Sequence, residues 1–458
     1  MNARVHTIVS PRPARPAGRS RLRILIVTNL YPPHYHGGYE VRCLQVAEAL
    51  VQAGHAVCVL TSTHGLPVDG LGDEIPRTDL QNGVRVHRWL GQHIFPPQPR
   101  LQHPWTLWAA RRDLRDARSF LDLARAFRPD VVSWWSLYGI AKLLLPLPRR
   151  LGIPDVHWIE HWWMIAEYGA AGEIPAAFWK SVWEGQWGPP RARPLLRPLG
   201  AAWERRVARR GFPTREFPNR PTHVCFVSEH MRAMHRAVGI EFESSEIIHG
   251  GVPVETFHRP LDRRAPGSGP LRLLYAGQLS EDRGFHTVVE ALGMLAPDLR
   301  ARVTLDVAGG DGGSEYERRV RDRVSKLALD DRVTFLGRVP HPAMARTYEQ
   351  HDVLVFPSMR DEGLPLTMVE AMLAGCAVVT TGSGGAMEVA TAADLPLFPK
   401  GDAAALARLL ESSIARPEAV RELALRGQRV ALEEFGFEPM MERFTATLER
   451  LAARISTE

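Results

Sequence analysis

The sequence predicts an α/β protein in which two Rossmann-like domains turn their parallel sheets toward a central cleft, on three observations. A strand–turn–helix–strand series opens the chain at Arg23 to Thr61, and the same grammar returns from Leu271 onward. The candidate strands are continuous apolar runs rather than alternating ones, as in strands buried on both faces of a parallel sheet. Between the two series, Val252 to Pro270 is rich in proline and glycine and reads as a linker. A chain of 458 residues suits two or three domains at about 150 residues each.

The first segment, Met1 to Arg21, is rich in proline and arginine and lacks the apolar core, roughly 7–15 residues long, of a secretory signal, so it reads as a disordered tail. Arg23-Ile-Leu-Ile-Val-Thr28 is the first strand, and it ends in the turn-prone stretch Tyr31 to Gly38. A helix follows from about Tyr39, with Val41, Leu44, Ala47 and Val51 on one face and Gly54 just past its end. His55 to Thr61 is the next strand, which completes one βαβ unit. In the second half, strands are expected at Leu271 to Gly277, Val303 to Gly309, Val333 to Gly337, Val353 to Pro357 and Ala377 to Thr381. Helices are expected at His286 to Leu295 and Glu315 to Leu327, and a last one, Phe437 to Ile455, is expected to return to the first domain. The resulting organisation is a tail at 1–21, a first domain at 22–252, a linker at 253–270, a second domain at 271–436 and a returning helix at 437–458.

Composition narrows the function classes. Hydrophobic residues make up 45% and charged residues 24%, which suits packed cores and excludes fibrous and fully disordered chains. The four cysteines stand far apart without CxxC spacing, so neither a disulfide scaffold nor a zinc ribbon is expected, and a reducing, cytoplasmic compartment is. Apolar runs such as Gly139 to Pro148 are too short to cross a bilayer. The net charge of +6 is mild and carried almost wholly by arginine, so it does not by itself define a nucleic-acid or phosphate partner. All twelve tryptophans lie between Trp89 and Trp203. Trp179, Trp183 and Trp187 share one face of a short helix that Gly188-Pro189-Pro190 would end, and a run of arginines follows. That stripe is either packed core or a flap that covers an acceptor or touches an anionic membrane surface.

Ligands of such folds bind at the carboxyl ends of the sheets. The first turn lacks G-x-G-x-x-G, which argues against a dinucleotide there, and offers Gly37-Gly38 immediately before a helix. Such a pair lets backbone N–H groups approach an anion at the positive helix end, although a plain strand-to-helix turn has the same sequence. In the second half, Asp361-Glu362-Gly363-Leu364-Pro365-Leu366-Thr367 leads into a helix carrying Glu370. Glu362 then lies in the loop and Glu370 about one turn inside the helix, with free N–H groups between them for phosphate. Two solvated carboxylates would look the same in isolation. Gly309 to Gly313 is a further glycine-rich turn, read chiefly as structural. No Asp-x-Asp triplet and no His/Cys cluster with metal spacing occurs, so no metal ligands are assigned.

Taken together, these motifs resemble the retaining glycosyltransferases of the GT-B architecture, and among them family 4. The resemblance runs through Leu25 to Pro33, Gly37-Gly38-Tyr39-Glu40, Gly54 to Val57, Phe226 to Glu229 and Ile248 to Val252. From Tyr275 to Glu388 it is nearly unbroken. It implies a nucleoside-diphosphate sugar as co-substrate, no cofactor, and transfer to an acceptor hydroxyl with retained configuration. It places the transferred sugar against Glu362, the ribose against Glu370, and the diphosphate against Leu366, Thr367 and, from the other side, Gly37 and Gly38. Gly363 belongs to the same donor loop, and Val339 to the loop that cradles the base. Where the family usually has an arginine and a lysine for the diphosphate, this chain has Gln278 and Arg283, so leaving-group charge falls to Arg283, to helix dipoles or to an arginine elsewhere. The acceptor-side histidine of the family corresponds to either Glu160 or His161. The resemblance also implies a cytoplasmic enzyme, peripheral at the inner face of a membrane or not, in polysaccharide or glycoconjugate synthesis. Two rivals share the architecture: a sugar-nucleotide epimerase and a catalytically silent nucleotide-sugar-binding protein.

Overall fold

The computed structural model describes residues 21–35, 37–62, 76–92, 102–168, 182, 188–212, 214, 221–261, 269–310 and 312–454. The tail expected at 1–21 lies outside them except for Arg21, as do Trp179, Trp183 and Trp187.

Two sheets organise the chain. The first is built from β1 (Arg23–Val27), β2 (Ala56–Ser62), β3 (Thr78–Gln81), β4 (Val84–Leu90), β5 (Val131–Trp134), β6 (Asp155–Ile159), β7 (His223–Phe226) and β8 (Ser244–Ile247). Their order is β3-β4-β2-β1-β5-β6-β7-β8. The second contains β9 (Leu271–Ala276), β10 (Val303–Ala308), β11 (Val333–Gly337), β12 (Val353–Phe356) and β13 (Ala377–Thr380), in the order β11-β10-β9-β12-β13. All pairings are parallel except β3 with β4, an antiparallel hairpin on the edge of the first sheet. Its turn is Asn82-Gly83, both in the left-handed region, which an Asn-Gly pair adopts at low cost.

The helices of eight residues or more among the described residues are α1 (Gly38–Gln52), α2 (Gln102–Phe127), α3 (Arg193–Ala208), α4 (Glu229–Ala237), α5 (Phe285–Met294), α6 (Glu315–Lys326), α7 (His341–Glu349), α8 (Leu366–Leu373), α9 (Ala386–Ala393), α10 (Ala403–Ala415), α11 (Pro417–Glu434) and α12 (Phe437–Arg454). The face of α1 differs from the expectation: Val41, Leu44 and Val51 are only half-buried, and the buried face carries Tyr39, Cys43, Val46, Ala47 and Leu50. Glu40 and Arg42 are buried as well, so two charged residues occupy positions that a hydrophobic pattern assigns to solvent.

Each sheet has its own core. Val27, Leu60, Val132, Trp158 and Phe226 pack in the first, and Leu274, Val307, Val355, Val369 and Val379 in the second. The C-terminal α12 joins the first core through Met440, Phe444, Leu448 and Leu451. The chain passes between domains where Val252 and Gly436 form a parallel bridge, with Val252 N–H donating to Phe435 O and Phe437 N–H to Val252 O. A Cβ on Gly251 would stand 2.4 Å from Gly436 O, so only glycine fits there. The linker expected at 253–270 therefore needs correction. Phe257 is fully buried in the second core, and the crossing lies at Gly250 to Val252, ahead of the proline-rich stretch.

Candidate active site

Because the strands are parallel, the loops after β1, β6 and β7 of the first sheet share one edge, and those after β9, β12 and β13 share the facing edge of the second. The two edges touch. A Cβ on Gly363 would lie 2.2 Å from Glu160 O, so the second domain's loop after β12 approaches the first domain at backbone distance.

On the second-domain side, Glu362 is buried in the loop after β12. Its Oε1 accepts from Arg283 Nη1 at 2.5 Å and from Ser358 Oγ at 2.9 Å, and Arg360 Nε stands 3.5 Å away. Arg283 sits in the turn after β9, and its buried Nε has no partner. Helix α8 begins directly after Pro365 without a side-chain cap, so the N–H groups expected to meet phosphate, those of Leu366 and Thr367, start an uncapped helix. Glu370 lies one turn in, nearly buried, with Oε1 bonded to His341 Nε2 at 3.1 Å and Oε2 accepting from Tyr348 Oη at 3.0 Å. That hydrogen bond raises the pKa of His341 against the opposing effect of burial. Val339 is half-buried against the second core just before α7, and Gln278 is exposed, its carbonyl taken by Tyr275 Oη at 2.7 Å.

On the first-domain side, Gly37 and Gly38 are exposed, and a Cβ on either would meet nothing within 4 Å, so the protein itself does not demand glycine there. Gly37 N–H already donates to Glu40 Oε2 at 3.0 Å, which leaves Gly38 as the freer donor. In the loop after β6, Glu160 Oε1 accepts from Trp158 Nε1 at 2.8 Å; burial raises its pKa, and Arg42 partly opposes this. His161 packs against Tyr39 with the two rings tilted and their centroids 4.8 Å apart. Its Nδ1 accepts from Trp163 N–H at 3.0 Å, and burial pushes its pKa down to about 4. The ring is thus neutral near pH 7 with its proton on Nε2, able to donate to a hydroxyl and not to take its proton.

Pattern reading passed over several cleft residues. Arg42 is 3% exposed, donates to Gly251 O and to Met440 Sδ, and has an unpartnered Nε and, among the described residues, no carboxylate in ion-pair contact. Burial lowers its pKa, while Glu160 of the first domain and Glu370 of the second raise it. His341 and Tyr348 orient Glu370 from α7. Glu388, on α9, reaches across to the start of α4, where it accepts from Glu229 N–H at 3.0 Å and His230 N–H at 2.9 Å. The helix pattern carried no signal for Arg42, because the expected register of α1 sends that position to solvent.

The glycine-rich turn after β10 is filled from within, since Glu317 Oε2 accepts from Gly312 N–H at 2.9 Å. Among the described residues, His223, Cys225 and Glu246 bring metal-type ligand atoms within 4.8 Å of one another. Glu246 Oε1, however, already accepts from His223, Thr447 and Arg450, and the arginine opposes a cation, so this group ties α12 to the β7–β8 edge.

Residues 36–256 match the family profile described as Glycosyltransferase Family 4, and residues 260–430 that described as Glycosyl transferases group 1. An uncharacterized glycosyltransferase of Methanocaldococcus jannaschii is 24% identical over 383 residues, 80% of this chain and 82% of that protein. Two further relatives are matched over only 53% and 43% of their own length. Among solved structures, sucrose-phosphate synthase from Thermosynechococcus elongatus aligns with a TM-score of 0.66 at 20% identity, over 95% of this chain and 100% of that one. Anabaena HepE in complex with UDP-glucose aligns with a TM-score of 0.61 at 17% identity, over 94% of this chain and 100% of that one. The likeness to both structures is one of fold.

Proposed function

Starting from a chain that belongs to glycosyltransferase family 4 and has the GT-B architecture, we propose a retaining enzyme that moves a sugar from a nucleoside diphosphate to an acceptor hydroxyl without a metal ion. The observation that carries the reading is one cluster: Arg283 held on Glu362 beside the uncapped start of α8, with Glu370 on the same helix. The nucleotide sugar bound by the similar HepE supports the donor class.

Breaking the anomeric bond places negative charge on the departing diphosphate and positive charge on the sugar. Fixed donors aimed at the phosphate oxygens stabilise that change without reorganising. Here they are the guanidinium of Arg283, the first N–H groups of α8 and the turn at Gly38, with the buried charge of Arg42 behind them. Glu362 faces the sugar. Glu370, already oriented by His341 and Tyr348, keeps a spare lone pair on each oxygen for ribose hydroxyls. His161 donates from Nε2 to the acceptor. The acceptor proton leaves on the same face to the departing phosphate, so neither His161 nor Glu160 has to serve as a strong base.

The test is incubation of the full chain with mass-tagged nucleoside-diphosphate sugars and a panel of hydroxyl acceptors in excess EDTA, the anomer being read by NMR. Transfer with retention is the expected result. A donor returned epimerised, or one bound without turnover, overturns the reading in favour of an epimerase or a silent binder.

A further inference from the structure

We propose that the outward face of α3 docks on an anionic lipid surface. This goes beyond the transfer reaction and does not depend on it.

Helix α3 holds to the domain by a narrow stripe. Gly200, Glu204 and Val207 are buried; Val207 joins the first core, and Glu204 Oε1 accepts from Thr214 Oγ1 at 2.7 Å. The opposite stripe is bare. Leu195 is 76% exposed and Leu199 is 64% exposed, one helical turn apart, and exposed Ala202 and Arg206 continue the same line. No other segment among the described residues pairs two leucines this exposed one turn apart.

Charge names the partner. Arg191, Arg197, Arg205, Arg206, Arg209 and Arg210 are exposed on α3 and its flanks, and none of them pairs with a carboxylate among the described residues. Glu204 is the one acidic residue from Gly188 to Phe212, and it is buried. Among the described residues this surface is therefore cationic without internal compensation, with aliphatic side chains between the charges. Leucine and proline neither stack on bases nor hydrogen-bond to them, so a nucleic acid would leave this stripe unused. A bilayer uses both parts: leucines enter the boundary below the headgroups while arginines stay among the lipid phosphates. With two leucines the apolar share is small, so attraction to anionic headgroups dominates and binding is salt-sensitive.

The experiment is co-sedimentation of the full chain with vesicles of phosphatidylglycerol in phosphatidylcholine, against vesicles of phosphatidylcholine alone, at low and physiological salt. The protein should sediment only with the anionic vesicles and less so as salt rises. Arg205→Gln and Arg206→Gln should each weaken binding about fivefold. Leu195→Ser with Leu199→Ser should weaken it at every salt concentration. Because all four side chains are exposed, melting temperature should stay unchanged, which separates lost docking from lost folding. Equal binding to neutral vesicles, variants that bind like the parent chain, or capture by a single-stranded oligonucleotide or polyglutamate without capture by anionic vesicles would each overturn the proposal.

Discussion

Arg283 and Glu362, 79 positions apart in the chain, form an ion pair of 2.5 Å at the cleft edge of the second sheet. On the proposed reading, the cation that would meet phosphate thus rests on the carboxylate that would face the sugar. Both groups are partly sheltered, with side chains 23% and 10% exposed, so each would be costly to leave alone. On the same reading, a diphosphate entering the cleft would offer Arg283 a second anion and free Glu362 for the transferred ring.

That exchange separates the two residues in a binding experiment. Arg283→Ala should weaken nucleoside-diphosphate binding by roughly 1.5–3 kcal/mol, the worth of a hydrogen bond to a charged group. Glu362→Ala should keep that affinity, since it frees the guanidinium, while lowering kcat on the order of a hundredfold. Calorimetry on the free nucleoside diphosphate, alongside steady-state kinetics, reads both effects. If Glu362→Ala loses affinity as Arg283→Ala does, the carboxylate holds the nucleotide and the assignment is reversed.

Glu370 should behave in the opposite way, because a ribose contact is the same in ground and transition states. Glu370→Ala is expected to weaken donor binding by roughly 1–3 kcal/mol with kcat at saturation little changed. The His341 partner supplies an independent readout. Its pKa is raised above the ordinary 6.5 by Glu370, so the pair's contribution is full below that value and fades as pH rises through the raised one. In Glu370→Gln the His341 titration, followed by NMR, should fall back toward 6.5; an unmoved titration would show the hydrogen bond to be absent in solution.

Metal independence is a further expected outcome. Glu362 is held by Arg283 and Ser358, and Glu370 by His341 and Tyr348, so a divalent cation would have to displace cationic or donating partners from either carboxylate. Transfer should survive excess EDTA. Activity that is lost and then restored by Mg²⁺ or Mn²⁺ would contradict it.

Much of the architecture was legible because its strands are unbroken apolar runs, such as Arg23 to Val27 and Val353 to Phe356, which a parallel sheet requires. The helix start between Glu362 and Glu370 was legible because Pro365 and the residues around it form a local pattern. The β3–β4 hairpin carried an Asn82-Gly83 signal that went unread, since its strands are short and polar on one face. Arg42 was hidden for a different reason. Periodicity sorts charged side chains outward, and only the packing of α1 against Gly251 and Met440 shows that this one turns in. Tyr348, His341 and Glu388 act through partners 22, 29 and about 160 positions away, distances over which a single sequence holds no contact information.

The pH behaviour expected of the first-domain side of the cleft follows from His161. With Nδ1 accepting from Trp163 N–H and its pKa near 4, it is neutral throughout the physiological range. The dependence of kcat/KM on pH should therefore show no limb near 6.5 that belongs to His161. A limb there that vanishes in His161→Asn would make it a titrating base. For stability the sign is that of a depressed histidine: the unfolded chain takes up a proton that the folded one refuses, so this contribution is lost as pH falls from 6.5 toward about 4.

Glu388 should act as a latch between the domains. It rides on α9 of the second domain and accepts the first two N–H groups of α4 in the first, with His249 Nε2 3.5 Å away. Burial alone would raise its pKa, but the bonds to His249, His230 and Glu229 outweigh it and leave it lowered. A depressed carboxylate stabilises above its unfolded value of 4.5 and loses that contribution as pH falls through the folded one. Because this cap spans the cleft, its energy, about 1 kcal/mol for a helix cap, favours closure rather than either domain's own fold. Glu388→Ala should therefore open the ligand-free protein, seen as a larger radius of gyration in small-angle scattering. It should raise the acceptor KM and weaken nucleoside-diphosphate affinity only modestly, since Arg283, Glu370 and the start of α8 lie in one domain and only the Gly38 turn and Arg42 lie across the cleft. Acidifying the parent chain below pH 4.5 should open it the same way. A scattering curve unchanged by the substitution would mean that the crossing at Gly251 and Gly436 holds the domains closed without the latch.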